Sequence, residues 1–70
     1  MQEITASICV GETEYTADLH LDSKRVQIYC THKRVDSGVW ACNRIIDTVG
    51  NLGEAVYSAL DKALVEAMYV

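Results

Sequence analysis

The sequence predicts an α+β domain in which a three- to four-stranded antiparallel meander packs on one C-terminal amphipathic helix, in the order ββββα. Apolar and polar residues alternate in three segments between residues 4 and 31, as in half-buried strands. Apolar residues then recur at steps of three and four between residues 51 and 68, as on one face of a helix. A chain of 70 residues has room for a single small domain.

The three alternating segments predict the first three strands. Residues 4–10 form the first strand, and Gly11-Glu12-Thr13 forms the turn after it. Residues 14–22 show the most regular alternation and complete a hairpin with the first strand. After a turn at Asp22-Ser23-Lys24, residues 26–31 alternate again. Because the loops are short, we expect consecutive strands to be antiparallel neighbours.

The segment from residue 35 to residue 50 has two interpretations. In the first, residues 35–39 form a tight turn with Gly38 at a positive φ, and residues 39–46 form a fourth strand. In the second, the apolar residues of the segment share one helical face and Gly50 follows the helix end, which gives the order βββαα. We favour the strand, because β-branched and aromatic residues weaken a short helix.

The last helix is predicted over residues 51–68, with Asn51 as its N-cap and Glu54 completing a capping box. Its apolar arc covers roughly 180°, whereas packing on one sheet face needs a stripe of roughly 100°. If the preceding segment is a strand, one side of this arc has no partner within the chain, and the sequence therefore predicts a homodimer. The residues on that side are Tyr57, Leu64 and Met68.

Composition limits the classes of protein. No segment approaches the roughly 20 apolar residues of a membrane span, so no membrane contact is expected. The first residues, Met1-Gln2-Glu3, are acidic, and we expect no signal peptide. The cysteines Cys9, Cys30 and Cys42 are odd in number and widely spaced, which favours reduced thiols in a cytoplasmic protein.

Charge is segregated along the chain, whose net charge is −4. Residues 1–22 contain five acidic and no basic residues, and residues 23–46 contain five of the six basic residues. This partition favours adjacent strands that balance each other's charge. It also allows a basic hairpin that contacts nucleic acid, although phosphate binding usually accompanies a net-basic domain. The acidic first hairpin would, in turn, suit a basic surface of a partner.

One group of residues suggests chemistry. Cys30 and His32 share a face if both lie on a strand, and the predicted hairpin register would place Cys42 opposite His32. Two thiols and an imidazole could hold zinc, and the same residues could form a Cys–His nucleophilic pair. The spacing is not that of a common zinc module, and nothing in the sequence orients a third catalytic group. We therefore expect no metal, no cofactor and no enzymatic activity.

The leading functional hypothesis is a non-catalytic protein-binding module that acts as a regulator or inhibitor by covering a partner's surface. Four acidic residues of the first hairpin would steer it to a basic site. Aromatic and apolar residues would then anchor the complex. The predicted partner-binding residues are Glu12, Glu14, Asp18, Asp22, Trp40, Tyr57, Met68 and Tyr69. The alternative for Trp40 is a core position, which is the commoner one for a lone tryptophan in a small domain.

Two alternatives come from other classes. The first is a nucleic-acid-binding protein, and the second is a structural homo-oligomer assembled through the wide helix face. No stretch of residues carries a family signature, but the short, acidic and motif-free character of the chain resembles that of small phage-encoded inhibitors, including anti-CRISPR proteins. That resemblance implies that the chain inhibits a partner protein. The residues of the nucleic-acid alternative are Lys24, Arg25, Lys33, Arg34 and Arg44.

Overall fold

The computed structural model describes residues 2–69 and contains a five-stranded antiparallel sheet followed by one helix. Each strand pairs with the next along the chain, so β1 and β5 form the two edges of the sheet. The predicted α+β meander packed on a C-terminal helix is therefore confirmed, with one strand more than predicted. The elements are β1 (Glu3–Val10), β2 (Thr13–His20), β3 (Arg25–Cys30), β4 (Lys33–Ala41), β5 (Arg44–Ile46) and α1 (Glu54–Met68).

Three of the four strand connections are two-residue turns. In the first, Gly11 has a φ of 64° and Glu12 does not have a positive φ, which is the pattern of a type II′ turn. Thr31 and His32 have φ values of 52° and 65°, as in a type I′ turn. Cys42 and Asn43, at 54° and 60°, form a second turn of that type. These turns suit the twist of the strands they join, so they fix the hairpin registers.

The segment from residue 33 to residue 46 differs from both sequence-based interpretations. A strand was the correct type for residues 39–46, but the turn at Cys42-Asn43 divides it between β4 and β5. The predicted tight turn at residues 35–39 is wrong, because these residues lie inside β4. Gly38 does not have a positive φ; instead, a Cβ atom there would lie 2.6 Å from the carbonyl oxygen of Ile46. The glycine is thus required by close packing rather than by turn geometry.

The start of α1 also differs from the prediction. Gly53, rather than Asn51, occupies the N-cap position, and no side chain caps the helix. The Asn51 side-chain amide instead donates a hydrogen bond of 3.2 Å to the backbone carbonyl of Val35. The capping box with Glu54 therefore does not form, because the amide of Asn51 ties the loop before α1 to β4.

The hydrophobic core lies between α1 and one face of the sheet. Leu19 and Ile28 from the strands, together with Leu60 and Leu64 from the helix, are completely buried. Each such side chain stabilises the fold by about 1.5–3 kcal/mol relative to an exposed one. The helix contacts β1 more extensively than any other strand. Over residues 2–69, no helix is long and apolar enough to cross a membrane.

The wide apolar arc of the helix is occupied within the chain. Leu64 is completely buried, and Tyr57 and Met68 pack against the core. The expectation that this side of the arc lacks an internal partner is wrong, because Tyr57 bonds Asp36 of β4 and both Leu64 and Met68 pack within or against the core. The arc therefore no longer argues for dimerisation, and the homodimer stays a prediction.

Candidate functional site

The sheet face opposite α1, here called the open face, carries mostly polar side chains. Strand alternation places one polar row of β1 beside one of β2 on this face. Thr5 Oγ1 donates a hydrogen bond of 3.0 Å to Asp18 Oδ1. The hydroxyls of Ser7 and Thr16 lie 3.1 Å apart and form a second cross-strand hydrogen bond. Because these side chains of β1 are short, they leave the neighbouring carboxylates of β2 uncovered.

The four acidic residues predicted to steer a partner lie on β2 and in the two loops that flank it. Glu14 and Asp18 lie on the open face, with Thr16 between them. Glu12 lies in the turn before β2, and Asp22 lies in the loop after it. Asp18 is half-buried, whereas the other three are exposed. The structure thus arranges these carboxylates as one acidic line, with two of them on the open face.

A shallow depression of about 390 Å³ opens on this face. It extends from the carboxylates of β2 across β3 to the turn before β4. The Tyr29 hydroxyl, at its wall, donates a hydrogen bond of 2.8 Å to Gln27 Oε1. The mixture of carboxylates, hydroxyls and one aromatic ring suits a cationic or hydrogen-bonding group. The lining residues are Glu14, Thr16, Asp18, Tyr29, Thr31 and His32.

The basic residues do not form a single patch. Lys24, Arg25 and Arg44 lie at the end of the sheet where β3 begins, whereas Lys33 and Arg34 lie at the opposite end, where β4 begins. The six residues of β3 separate the two groups by roughly 20 Å. All five are exposed. A phosphate backbone would therefore meet two small basic groups rather than one continuous stripe.

The charged residues of neighbouring strands do not neutralise one another directly. Asp18 lies opposite Gln27, and Arg25 lies opposite His20. Among residues 2–69, a single ion-pair contact within 4 Å is present, between His20 Nδ1 and Glu3 Oε2 at 3.4 Å. The expected charge balance between β2 and β3 therefore does not take the form of cross-strand ion pairs.

The cysteine and histidine residues that could have formed a zinc or nucleophile site are separated. Cys30 and His32 lie near the start of β4, whereas Cys42 follows its other end. The nine residues of β4 span roughly 30 Å, so the expected approach of Cys42 to His32 is wrong. Within the described part of the chain, no three His, Cys, Asp or Glu side chains are grouped to hold a metal ion. The three thiols, including Cys9, are free.

The predicted anchor residues have different environments. Trp40 is only 5% exposed and belongs to the core, so its ring is not available to a partner in this conformation. Tyr57 and Met68 are half-buried against the core. Tyr69, which follows the helix, is 77% exposed. Of the four, Tyr69 presents by far the largest exposed fraction.

Sequence reasoning missed a buried polar network around Asp36. This carboxylate accepts hydrogen bonds from the Tyr57 hydroxyl and, at 3.0 Å, from the backbone N–H of Val49. The Tyr57 oxygen in turn accepts the backbone N–H of Leu52 at 3.0 Å. Burial acts to raise the pKa of Asp36, but the hydrogen bonds from Tyr57 and nearby N–H groups outweigh it, and the pKa lies below the ordinary value of 3.8. The network connects β4, α1 and the loop between β5 and α1.

A second depression, of about 510 Å³, lies between β5 and α1. At its floor, Asp61 Oδ1 accepts the backbone N–H of Ile45 at 2.9 Å. Burial raises the pKa of Asp61 above 3.8, and the Ile45 hydrogen bond and the charge of Arg44 oppose this rise. The main role of this carboxylate is therefore structural, since it connects the helix to the edge strand.

Comparison with models of protein families, with curated proteins and with solved structures gives no match to this chain.

Proposed function

We propose that the protein is a non-catalytic binding module, a regulator or inhibitor that covers a basic surface of a partner protein. The observation that carries this proposal is the acidic line along β2. Glu12, Glu14 and Asp22 are exposed, and the one ion-pair contact among residues 2–69 involves Glu3 and His20 instead. Carboxylates that form no ion pair keep more of their field for a partner and raise its association rate.

The arrangement of hydroxyls on the open face supports binding rather than catalysis. The hydroxyls of Thr5 and Ser7 are engaged with Asp18 and Thr16, respectively. A catalytic nucleophile needs a base and a third group that orients the base, and among residues 2–69 no side chain other than Thr5 is hydrogen-bonded to Asp18. The face therefore offers a preorganised polar surface, and the proposal assigns it no reaction step.

The charge distribution supports a protein partner over nucleic acid. A net charge of −4 repels phosphate, and the two basic groups lie at opposite ends of the sheet. An inhibitor of the kind that phages encode, directed at a basic protein surface, would use the same acidic line.

The test compares two double variants with equal changes in net charge. Glu14→Gln with Asp18→Asn removes the two β2 carboxylates from the open face while keeping an oxygen that accepts the Thr5 hydroxyl. Glu54→Gln with Glu66→Gln removes the same charge from exposed positions on α1. Affinity capture from the native cell over a salt series should yield a partner with the wild type and the helix variant, and much less with the open-face variant. Equal capture by both variants would contradict the proposal.

A parallel measurement addresses the nucleic-acid alternative. Fluorescence anisotropy with labelled DNA and RNA, at low salt, should show no binding by the wild type. Salt-dependent binding that is lost in Lys33→Gln with Arg34→Gln would favour the alternative. Light scattering at two concentrations checks the predicted homodimer independently.

A further inference from the structure

The backbone of β1 has an unpaired side that faces away from the sheet. β1 joins β2 through a two-residue turn, so Val10 and Thr13 form a hydrogen-bonded pair and such pairs recur at every second residue. The hydrogen bond of 3.1 Å from the Leu21 N–H to the Gln2 carbonyl agrees with this alternation. The odd-numbered residues of β1 therefore direct their N–H and C=O groups outward. These residues are Glu3, Thr5, Ser7 and Cys9.

The outward backbone groups of β1 are unpaired within the described chain and belong to exposed residues. All four odd-numbered residues are exposed, and no other group of residues 2–69 forms a hydrogen bond with their backbone. The side chains of Ile4 and Ile8, which face the core, are only half-buried. An added strand would thus find four N–H donors and four C=O acceptors above a partly exposed apolar strip.

The opposite edge of the sheet is protected. β5 has only three residues, and its outward N–H, that of Ile45, is occupied by Asp61. Edge strands are usually guarded by short length, lysine, proline, a bulge or a covering segment. β1 has eight residues, contains no lysine, arginine or proline, and has a regular register with β2. The fold therefore guards the β5 edge by these means, whereas α1 packs against the core-facing side chains of β1 and no group in the described part of the chain bonds the outward backbone of that strand.

Charge selects the occupant of this edge. Residues on an added strand opposite Thr5 and Ser7 would point onto the open face, over the short hydroxyl side chains of β1. Asp18 lies two strand spacings, or about 10 Å, from such a strand, within reach of a long basic side chain. A second copy of this chain suits the edge poorly, because residues 1–22 carry five acidic and no basic residues.

We propose that the outer edge of β1 binds an extended segment of the partner as a sixth strand, with Lys or Arg at alternate positions facing Asp18 and Glu14. This inference rests on the proposed function and specifies how the partner is bound. Main-chain hydrogen bonds would supply affinity, and the acidic line on β2 would select basic side chains. Apolar residues at the intervening positions of the segment would cover Ile4 and Ile8.

The test uses amide hydrogen exchange, read by nuclear magnetic resonance, with a synthetic Lys-Val-Lys-Val-Lys-Val-Lys peptide. In the free protein, the amides of Thr5, Ser7 and Cys9 should exchange fast, while those of Ala6 and Ile8 are protected. Adding the peptide at roughly millimolar concentration should slow exchange at the three outward amides by about tenfold or more. Protection of these amides in the free protein, or no slowing with the peptide, would overturn the inference.

Two controls separate the edge from charge alone. A peptide N-methylated at alternate residues keeps its charge but cannot complete the ladder, so its binding should fall about tenfold. Ser7→Pro removes one outward N–H without touching the bonds to β2, and it should weaken binding relative to Ser7→Ala. Equal binding of both peptides, with no difference between these variants, would refute the edge site and leave the acidic surface intact. Loss of partner capture in the open-face variant, measured separately, reports on the proposed function itself.

Discussion

Tyr57 on the helix donates its hydroxyl hydrogen to Asp36, a carboxylate that is 5% exposed and lies in the middle of β4. The same carboxylate accepts the backbone N–H groups of Ser37 at 2.7 Å and Val49 at 3.0 Å. A buried charge is tolerated only when hydrogen bonds replace its lost hydration. This pair therefore determines where the loop between β5 and α1 lies against the sheet.

Removing the tyrosine hydroxyl should destabilise the fold. Tyr57→Phe leaves the Leu52 N–H without its acceptor and deprives Asp36 of one donor, so we expect a loss of about 1–3 kcal/mol. Tyr29→Phe is the matched control, because it makes the same chemical change at a hydroxyl bonded to Gln27 on the open face. Urea denaturation at neutral pH should separate the two variants. Equal losses of unfolding free energy would show that the Asp36 network contributes no more than the Tyr29–Gln27 hydrogen bond does.

The lowered pKa of Asp36 predicts the sign of a pH effect. Because the folded pKa lies below 3.8, the folded state binds fewer protons than the unfolded chain near that pH. The stabilisation is fully present above pH 3.8 and is lost as the pH falls through the folded pKa. Urea denaturation between pH 7 and pH 2.5 should therefore show a steeper acid loss in the wild type than in Asp36→Asn. The absence of any difference in slope would contradict the assigned pKa shift.

The sequence was most informative where one face of a strand is buried and the other exposed. In β1 and β2, alternation alone predicts both strands and their pairing, because every inward position except Thr13 carries an apolar or aromatic side chain. In β4, the inward positions near its middle hold Asp36 and Gly38. A charged and a side-chain-free residue interrupt the apolar pattern, so the middle of this strand resembled a turn.

The candidate site was only partly predictable. The acidic residues were visible as a run without basic neighbours, and the structure places Glu14 and Asp18 on one face. The sequence allows Trp40 to be an anchor or a core residue, and its burial depends on the turn at Cys42-Asn43, which contains no glycine to indicate it. The free edge of β1 has no local sequence signature, because it depends on which strand ends the sheet order.

Asp61 tests whether the β5 edge depends on its carboxylate charge or only on its oxygen. Asp61→Asn keeps an acceptor for the Ile45 N–H, whereas Asp61→Ala leaves that edge N–H unpaired. Because burial raises the pKa of Asp61, the charge is unfavourable at neutral pH, and its cost is absent below pH 3.8. We expect Asn to match or slightly exceed the wild-type melting temperature, and Ala to lose about 1 kcal/mol. A larger loss for Asn than for Ala would contradict this role.

Gly38 should be intolerant of any side chain because of its position beneath β5. A Cβ atom there would lie 2.6 Å from the Ile46 carbonyl oxygen and 2.9 Å from a methyl carbon of Ile45, so β5 would have to move. We expect Gly38→Ala to cost about 1–3 kcal/mol. Gly53→Ala is the control, since a Cβ atom at this N-cap meets nothing within 4 Å, and its cost should be only about 0.5–1 kcal/mol, because alanine is a poorer N-cap than glycine. The melting temperature of Gly38→Ala should therefore be clearly lower than that of Gly53→Ala. Equal melting temperatures would show that β5 can move away from residue 38 without loss of stability.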